Sequence, residues 1–223
     1  MAKLVWDTVG ERLYETGVSN VALFVVSDTK TGTYGNGVAW NGVTSIEESP
    51  SGAEANALYA DNTKYLNLYS VEEFAASINA YMYPDEFAAC NGEAALLSGA
   101  MLIGQQSRKK FGLVYKTKIG SDTDDSFGYK LHILYGLKAG VTSRTHSTVN
   151  DSPEAEEMSW ELSATPITAT VNGVDYTNIY TIVVDSTAAD TTKLKALEDI
   201  IYGTESAEPK LPLPAEVYAA LNA

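Results

Sequence analysis

The sequence predicts a mainly β protein: a β-sandwich or partial barrel with one packed α-helix and a carboxy-terminal extension. Three observations lead there. Residues 110–119 and 129–137 alternate apolar and polar positions across a polar, turn-rich gap, as an antiparallel hairpin does. Residues 70–82 alternate in the same way, with Phe74, Ala76, Ile78, Ala80 and Met82 on one face and Glu73, Ala75, Ser77, Asn79 and Tyr81 on the other. Helical spacing of apolar residues is confined to the last fifth of the chain.

In chain order, residues 18–26 form a β-branched apolar run and residues 29–36 a turn cluster. Asn41-Gly42 is a two-residue hairpin signal, because this dipeptide tolerates the positive φ of a type I′ turn. Residues 65–82 read as one long extended segment, stopped by Pro84, with Asp85-Glu86-Phe87 opening a short helix that ends near Gly92. The hairpin follows, with Phe111, Leu113, Tyr115, Thr117 and Ile119 sharing a face of its first strand. Tyr129, Leu131, Ile133, Tyr135 and Leu137 share a face of its second. Residues 158–164 and 179–184 supply two more strands. Residues 190–203 are the helix: Leu194, Leu197, Ile200 and Ile201 recur at helical spacing, Asp190 caps it and Gly203 ends it. Pro209, Pro212 and Pro214 then favour an extended arm, with Pro214 suited to the first position of a short last helix. The expected division is a β domain over residues 1–203 and an arm over residues 204–223.

Composition narrows function more by exclusion than by assignment. Fifteen basic residues against 29 acidic ones give a net charge of -14, which opposes a surface built to grip phosphates. It does not oppose a surface past which nucleic acid slides. Cys90 is the single cysteine, so no intrachain disulfide or CxxC metal site is expected. The first residues have no continuous apolar stretch of the signal-peptide kind, and no window reaches the roughly 18 apolar residues that would cross a bilayer. No signal peptide and no membrane association are expected.

No catalytic, metal or cofactor site is predicted. Asp122, Asp124 and Asp125 lack the alternate spacing, central Gly and closing Glu of a calcium loop. His132 and His146 are far apart, no G-x-S-x-G elbow is present, and Gly32, Gly35 and Gly37 precede no GK[ST] phosphate loop. An enzyme is not expected. Charge is segregated instead. Residues 108–118 hold five bases and no acid: Arg108, Lys109, Lys110, Lys116 and Lys118. Residues 151–161 hold five acids and no base: Asp151, Glu154, Glu156, Glu157 and Glu161. Ordinary solvated strand faces or pairing within one subunit would account for both blocks, as would complementarity between subunits that fixes register.

The block SVEEFAASINAYMYPDEFAACNG, the stretch RKKFGLVYKTKIGSDTDD with its return GYKLHILYG, the run STVNDSPEAEEMSWELSATP, and the ending ALEDIIYG followed by LPLPAEVYAAL resemble, in order and spacing, the major tail tube proteins of siphophages. These are phages with long, non-contractile tails that infect Gram-positive bacteria. The resemblance spans residues 58–221. It implies a structural virion protein, assembled in the host cytoplasm into stacked hexameric rings that form the DNA-delivery channel of the virion tail. It also implies partners: further copies stacked head to tail, a tape-measure protein, a tail terminator and a distal tail protein, with viral DNA passing unbound. Within that reading Glu47, Glu73, Ser77 and Asn79 are the candidates for lining the lumen. Two other readings stay open: the tube of a phage-derived bacteriocin, and a soluble β-sandwich binding module.

Overall fold

Valine, leucine and phenylalanine in an unbroken run make the middle of the first strand apolar on both faces, and that strand becomes the spine of the molecule. The computed structural model describes residues 3–28, 30–97, 99–149, 151 and 155–222. Its strands are β1 (Leu13–Asp28), β2 (Thr33–Ala39), β3 (Val43–Glu48), β4 (Ala55–Ala60), β5 (Thr63–Tyr69), β6 (Ala75–Ala80), β7 (Ala94–Leu96), β8 (Met101–Ile103), β9 (Phe111–Ser121), β10 (Gly128–Ala139), β11 (Met158–Ala164), β12 (Ile167–Val171), β13 (Val174–Ile179) and β14 (Thr181–Asp185). Two α-helices follow, α1 (Thr191–Tyr202) and α2 (Pro214–Asn222). A 3-10 turn spans Asp85–Ala89.

The main sheet is antiparallel throughout and runs β2-β1-β9-β10-β11-β6-β3, with β14 joined to β10 as a branch. It does not close into a barrel by hydrogen bonding, yet its two outer strands are consecutive in sequence. Only Trp40, Asn41 and Gly42 separate β2 from β3, so the sheet must curl until its edges nearly meet. Trp40 N–H donates to Val21 C=O and Tyr81 N–H to Gly42 C=O, pinning the link to both sides.

The curl encloses the first core, centred on Phe87. Its ring centroid lies 4.4 Å from Trp40, 5.3 Å from Trp160 and 5.5 Å from Phe111. Both buried indoles are satisfied, Trp40 Nε1 donating to Met82 O at 2.8 Å and Trp160 Nε1 to Asn91 Oδ1 at 2.9 Å, as buried tryptophans require. The second core lies on the other side of β1, β9 and β10. There Phe24, Val114, Ile133 and Tyr135 pack under Leu194, Leu197 and Ile201 of α1 and under Leu211 and Val217. The three central strands are therefore covered on both faces, which is why Phe111 through Tyr115 are buried without a break.

Strand β10 changes partners along its length. Residues 130–134 pair with β14, and Leu137–Ala139 pair with β11. The pairing with β9 slips between Leu134 and Leu137, where Gly136 has φ +64°. This bulge flips the side-chain phase, so Tyr135 lies in the second core and Leu137 in the first. Strict alternation had placed them on one face.

The expected hairpin of residues 110–119 and 129–137, the strand at residues 158–164 and the packed helix are all present. Asp190 accepts from Thr192 N and Lys193 N at 2.9 and 3.2 Å. Three expectations need correction. The extended segment 65–82 is two strands in two sheets, β5 pairing with β4 and β6 with β3 and β11. Met82, expected inside, is 65% exposed because the strand ends at Ala80. Asn41-Gly42 links opposite edges and closes no hairpin; Asn172-Gly173 does that, between β12 and β13, with φ +50° and +76°. The described residues of the arm, 204–222, pack on their own subunit. Leu211 and Val217 are buried in the second core, Tyr135 Oη donates to Pro212 O at 2.8 Å, and Gly37 N donates to Pro209 O at 3.1 Å. Prolines bar regular helix before residue 214, but they do not stop an extended strip from packing on its own subunit.

Two substitutions test this architecture. Gly136→Ala places a methyl group 2.1 Å from Thr165 O at a positive φ, and is expected to lower unfolding free energy by about 2 kcal/mol or more. Leu197→Ala, at a fully buried helix position, is expected to cost about 2 to 5 kcal/mol. Urea unfolding followed by circular dichroism measures both, and an unchanged midpoint for either would refute the packing described.

Candidate functional site

Strands β3, β6 and β11 form a three-strand ribbon whose two faces differ sharply. Ile46, Ile78 and Trp160 are register partners across it and point into the first core. One residue along, Glu47, Ser77 and Glu161 form the corresponding outward row. The next outward row is Ser45, Asn79 and Ser159, where Asn79 Nδ2 donates to Ser45 Oγ at 2.9 Å. On the other side Ala75 faces Ser163, which in turn faces Lys138 of β10. The result is an outer face of serine, asparagine and alanine with two carboxylates, and no base in the β3, β6 or β11 rows.

Three lumen candidates, Glu47, Ser77 and Asn79, thus share one face, and Glu47 is the direct partner of Ser77. Glu73 lies outside β6, in an isolated bridge with Ser51. Glu161 completes the central row. The alternation of MSWELSA carries that signal, but the sequence reading had placed Glu161 only in a charge block.

The structure disperses the basic block. Arg108 Nη1 donates to Gly140 O at 2.5 Å, Lys110 Nζ donates to Thr165 Oγ1 at 2.9 Å, and Lys109 and Lys118 are exposed. Lys116 is occupied within its own chain. Its ammonium lies 2.6 Å from Glu198 Oε1 of α1 and 4.3 Å from the Tyr129 ring centroid, tying helix to sheet. Among the acids, Glu156 accepts from Thr145 N at 2.8 Å and lies 2.8 Å from His146 Nδ1. Glu157 accepts from the Thr44 hydroxyl, Asp151 and Glu161 are exposed, and Glu154 lies outside the described residues. Among the described residues no base of the first block pairs with an acid of the second. The aspartates of the β9–β10 tip make local contacts, Asp122 accepting from Gly10 N and Asp125 from Tyr14 Oη, each at 2.8 Å.

Two hairpins carry apolar side chains into solvent. In β4–β5, Leu58, Leu66 and Leu68 alternate with Tyr59, Tyr65 and Tyr69, and the tyrosines are 68–73% exposed. In β7–β8, Leu96, Met101, Leu102 and Ile103 are 40–49% exposed, and Leu97 at the turn 78%. Each hairpin is a separate two-stranded sheet.

A polar network sits at one mouth of the curl. His132 stacks on Tyr115 at 4.5 Å, its Nε2 is 3.0 Å from Thr117 Oγ1, and Thr117 donates to Glu15 Oε1 at 2.6 Å. Lys130 Nζ also reaches Glu15, at 2.5 Å, while Tyr115 Oη donates to Glu48 Oε1 at 2.5 Å. Hydrogen bonds from Lys130 and Thr117 hold the Glu15 carboxyl below its usual range. Burial lowers the His132 pKa, outweighing the opposing pull of Glu48 and Glu15. Its Nδ1 has no hydrogen-bond partner among the described residues, with Glu48 Oε1 3.8 Å away.

No protein-family model matches the chain, and no curated protein does. Among solved structures, the chain is similar to one in the sheath–tube complex of an extracellular contractile injection system, PVC, in the extended state. The identity is 10%, over 74% of this chain and 88% of the other, with a TM-score of 0.31. That likeness carries no functional argument.

The network sets a pH dependence. With its folded pKa below 6.5, His132 stays neutral in the native state at pH values where the unfolded chain takes up a proton. Stability is therefore full above the unfolded value and falls as pH drops towards the folded one. Glu15, also lowered, adds a loss of the same sign at more acidic pH. The melting temperature is expected to fall between about pH 7.5 and 5.5, and His132→Gln to flatten that limb. An equally steep limb in the variant would remove His132 as its source.

Proposed function

We propose that this chain is a self-assembling structural subunit of a tail-like tube, in which copies form hexameric rings stacked head to tail. The observation that carries the reading is the β4–β5 hairpin. An isolated two-stranded ribbon is marginal in water, and this one holds Leu58, Leu66, Leu68, Tyr59, Tyr65 and Tyr69 at 38–73% exposure. Exposed apolar surface of this kind marks a protein interface, and a second copy is the partner that a homopolymer provides. The β7–β8 hairpin repeats the arrangement on a smaller scale.

The outward face of β3, β6 and β11 supports the same reading from the opposite chemistry. Its side chains are short and its charges negative, so it offers a phosphate backbone neither a cation nor an apolar contact. In a tube this ribbon would line the channel. Its carboxylates would repel DNA within about 8 Å at physiological salt, so the genome slides without sticking. The sequence resemblance to siphophage tail tube proteins adds the stacked ring and the DNA cargo, with tape-measure, terminator and distal tail proteins as partners. The exposed Lys109 and Lys118 on one copy, and Asp151 on the next, would adjust register; surface pairs contribute only about 0 to 1 kcal/mol each.

Negative-stain microscopy of the concentrated protein is expected to show rings or tubes. Replacing residues 55–69 with a short glycine-serine linker is expected to leave the far-ultraviolet circular dichroism β-rich and the protein monomeric. Tubes formed at the full-length rate by that variant would refute the hairpin's role, and a wild-type protein that stays monomeric at millimolar concentration would refute the tube.

A further inference from the structure

A groove of about 650 Å³ opens between β14, the β12–β13 hairpin and α2. Its walls include Ile179, Ile182, Val184, Val217, Tyr218 and Leu221, and the acids among its lining residues are Asp185 and Asp190, with no base. Along one side runs β14, which among the described residues pairs only with β10. The backbone groups on its other edge therefore have no ladder partner among the described residues, although Asp185 O accepts from Ala188 N and Ala189 N. An open edge beside an apolar trough is the arrangement that accepts an added strand: backbone hydrogen bonds give affinity and alternate side chains fill the trough.

The same molecule carries a segment of complementary character. Residues 3–9 have no strand or helix of their own. Leu4 is 71% exposed, Val5 75%, Trp6 73% and Val9 71%. A tryptophan this exposed is uncommon, since its large apolar area ordinarily finds cover. Residues 3–7 carry one base, Lys3, and at the other end one acid, Asp7; Lys3 would meet a groove whose charges are both negative. Five residues of β14 extend roughly 17 Å, a length that residues 3–7 can match in extended form. Gly10 N is held by Asp122 Oδ1 at the β9–β10 tip, so the segment projects from a fixed point.

Groove and segment are both unfilled within one chain, although both belong to it. We infer that residues 3–7 of one copy add to the β14 edge of a second copy, with Leu4 and Trp6 in the groove and Lys3 facing Asp185 and Asp190. This rests on the reading of the chain as a self-assembling subunit and names a contact of that assembly. The donor surface and the acceptor surface differ, so the contact is head to tail and propagates.

Tryptophan fluorescence isolates the contact, because Trp40 and Trp160 are 2% and 0% exposed and Trp6 alone meets water. A synthetic peptide of residues 3–12 is titrated with full-length Trp6→Ala protein, whose own segment lacks the anchor. The peptide's emission is expected to shift to shorter wavelength with saturation. Tyr218→Glu in the same protein, at a partly exposed groove position, is expected to weaken binding about tenfold or more. Circular dichroism checks that this variant is folded, and Tyr176→Glu on the opposite wall provides an independent second substitution. A peptide that does not bind, or one whose binding neither substitution weakens, overturns the inference. Microscopy of the wild-type protein reports separately on the tube: tubes with no peptide binding would leave the tube reading standing and remove this contact from it.

Discussion

The fork in β10 is the constraint on which the rest of the structure depends. One strand must pair with β9 along its length, serve β14 with its first half and β11 with its last three residues, and face two different cores. A regular strand faces two layers with one unbroken alternation, whereas here the odd-numbered residues pass from the second core (Leu131, Ile133, Tyr135) to the first (Leu137, Ala139). The left-handed residue at Gly136 breaks the phase, and the space a Cβ would need there is occupied by Thr165 O. Helices and carboxy-terminal strip depend on the first half of the strand, while the curl and its polar outer ribbon depend on the second.

Much of this was legible in the sequence, and the misses have physical causes. The hairpin and helix were readable because each has a regular period and local partners, as does Asp190 as a cap. The bulge was not readable, because LHILYGLKA alternates well enough to pass for a single strand. Two of the four Asn-Gly dipeptides make the limit plain. Asn172-Gly173 closes a tight hairpin, whereas Asn41-Gly42 joins strands at opposite ends of the sheet. Their difference lies in which flanking strands find tertiary partners, a fact no local signal carries. In the same way, the polar ribbon was half visible: Ser77 and Asn79 were set out by alternation, but the pairing of Ser77 with Glu47 and Glu161 is a matter of register between distant segments.

Charge is sorted by what each strand face must do. The inward carboxylate of the ribbon, Glu48, is held by Tyr115 and belongs to the network around His132. The outward ones, Glu47 and Glu161, have no cation to answer them within the described structure. Lys116, which sequence position groups with four other bases, is drawn to α1 instead. A linear charge block is therefore a poor guide to a folded patch here: alternate residues of β9 face different layers, and a strand distributes its charges between them.

The three-residue link from β2 to β3 has a mechanical meaning. In an open sheet, an edge strand can be peeled away one hydrogen bond at a time, and each rupture leaves the rest of the sheet undisturbed. Here the two edges share a clasp with Trp40 buried inside it, so a load on either is delivered at once to the ladders β1–β2 and β3–β6 and to the aromatic cluster around Phe87. The bonds then bear force together instead of in succession. A body built this way holds its curvature under tension, and yields only when the core itself gives way.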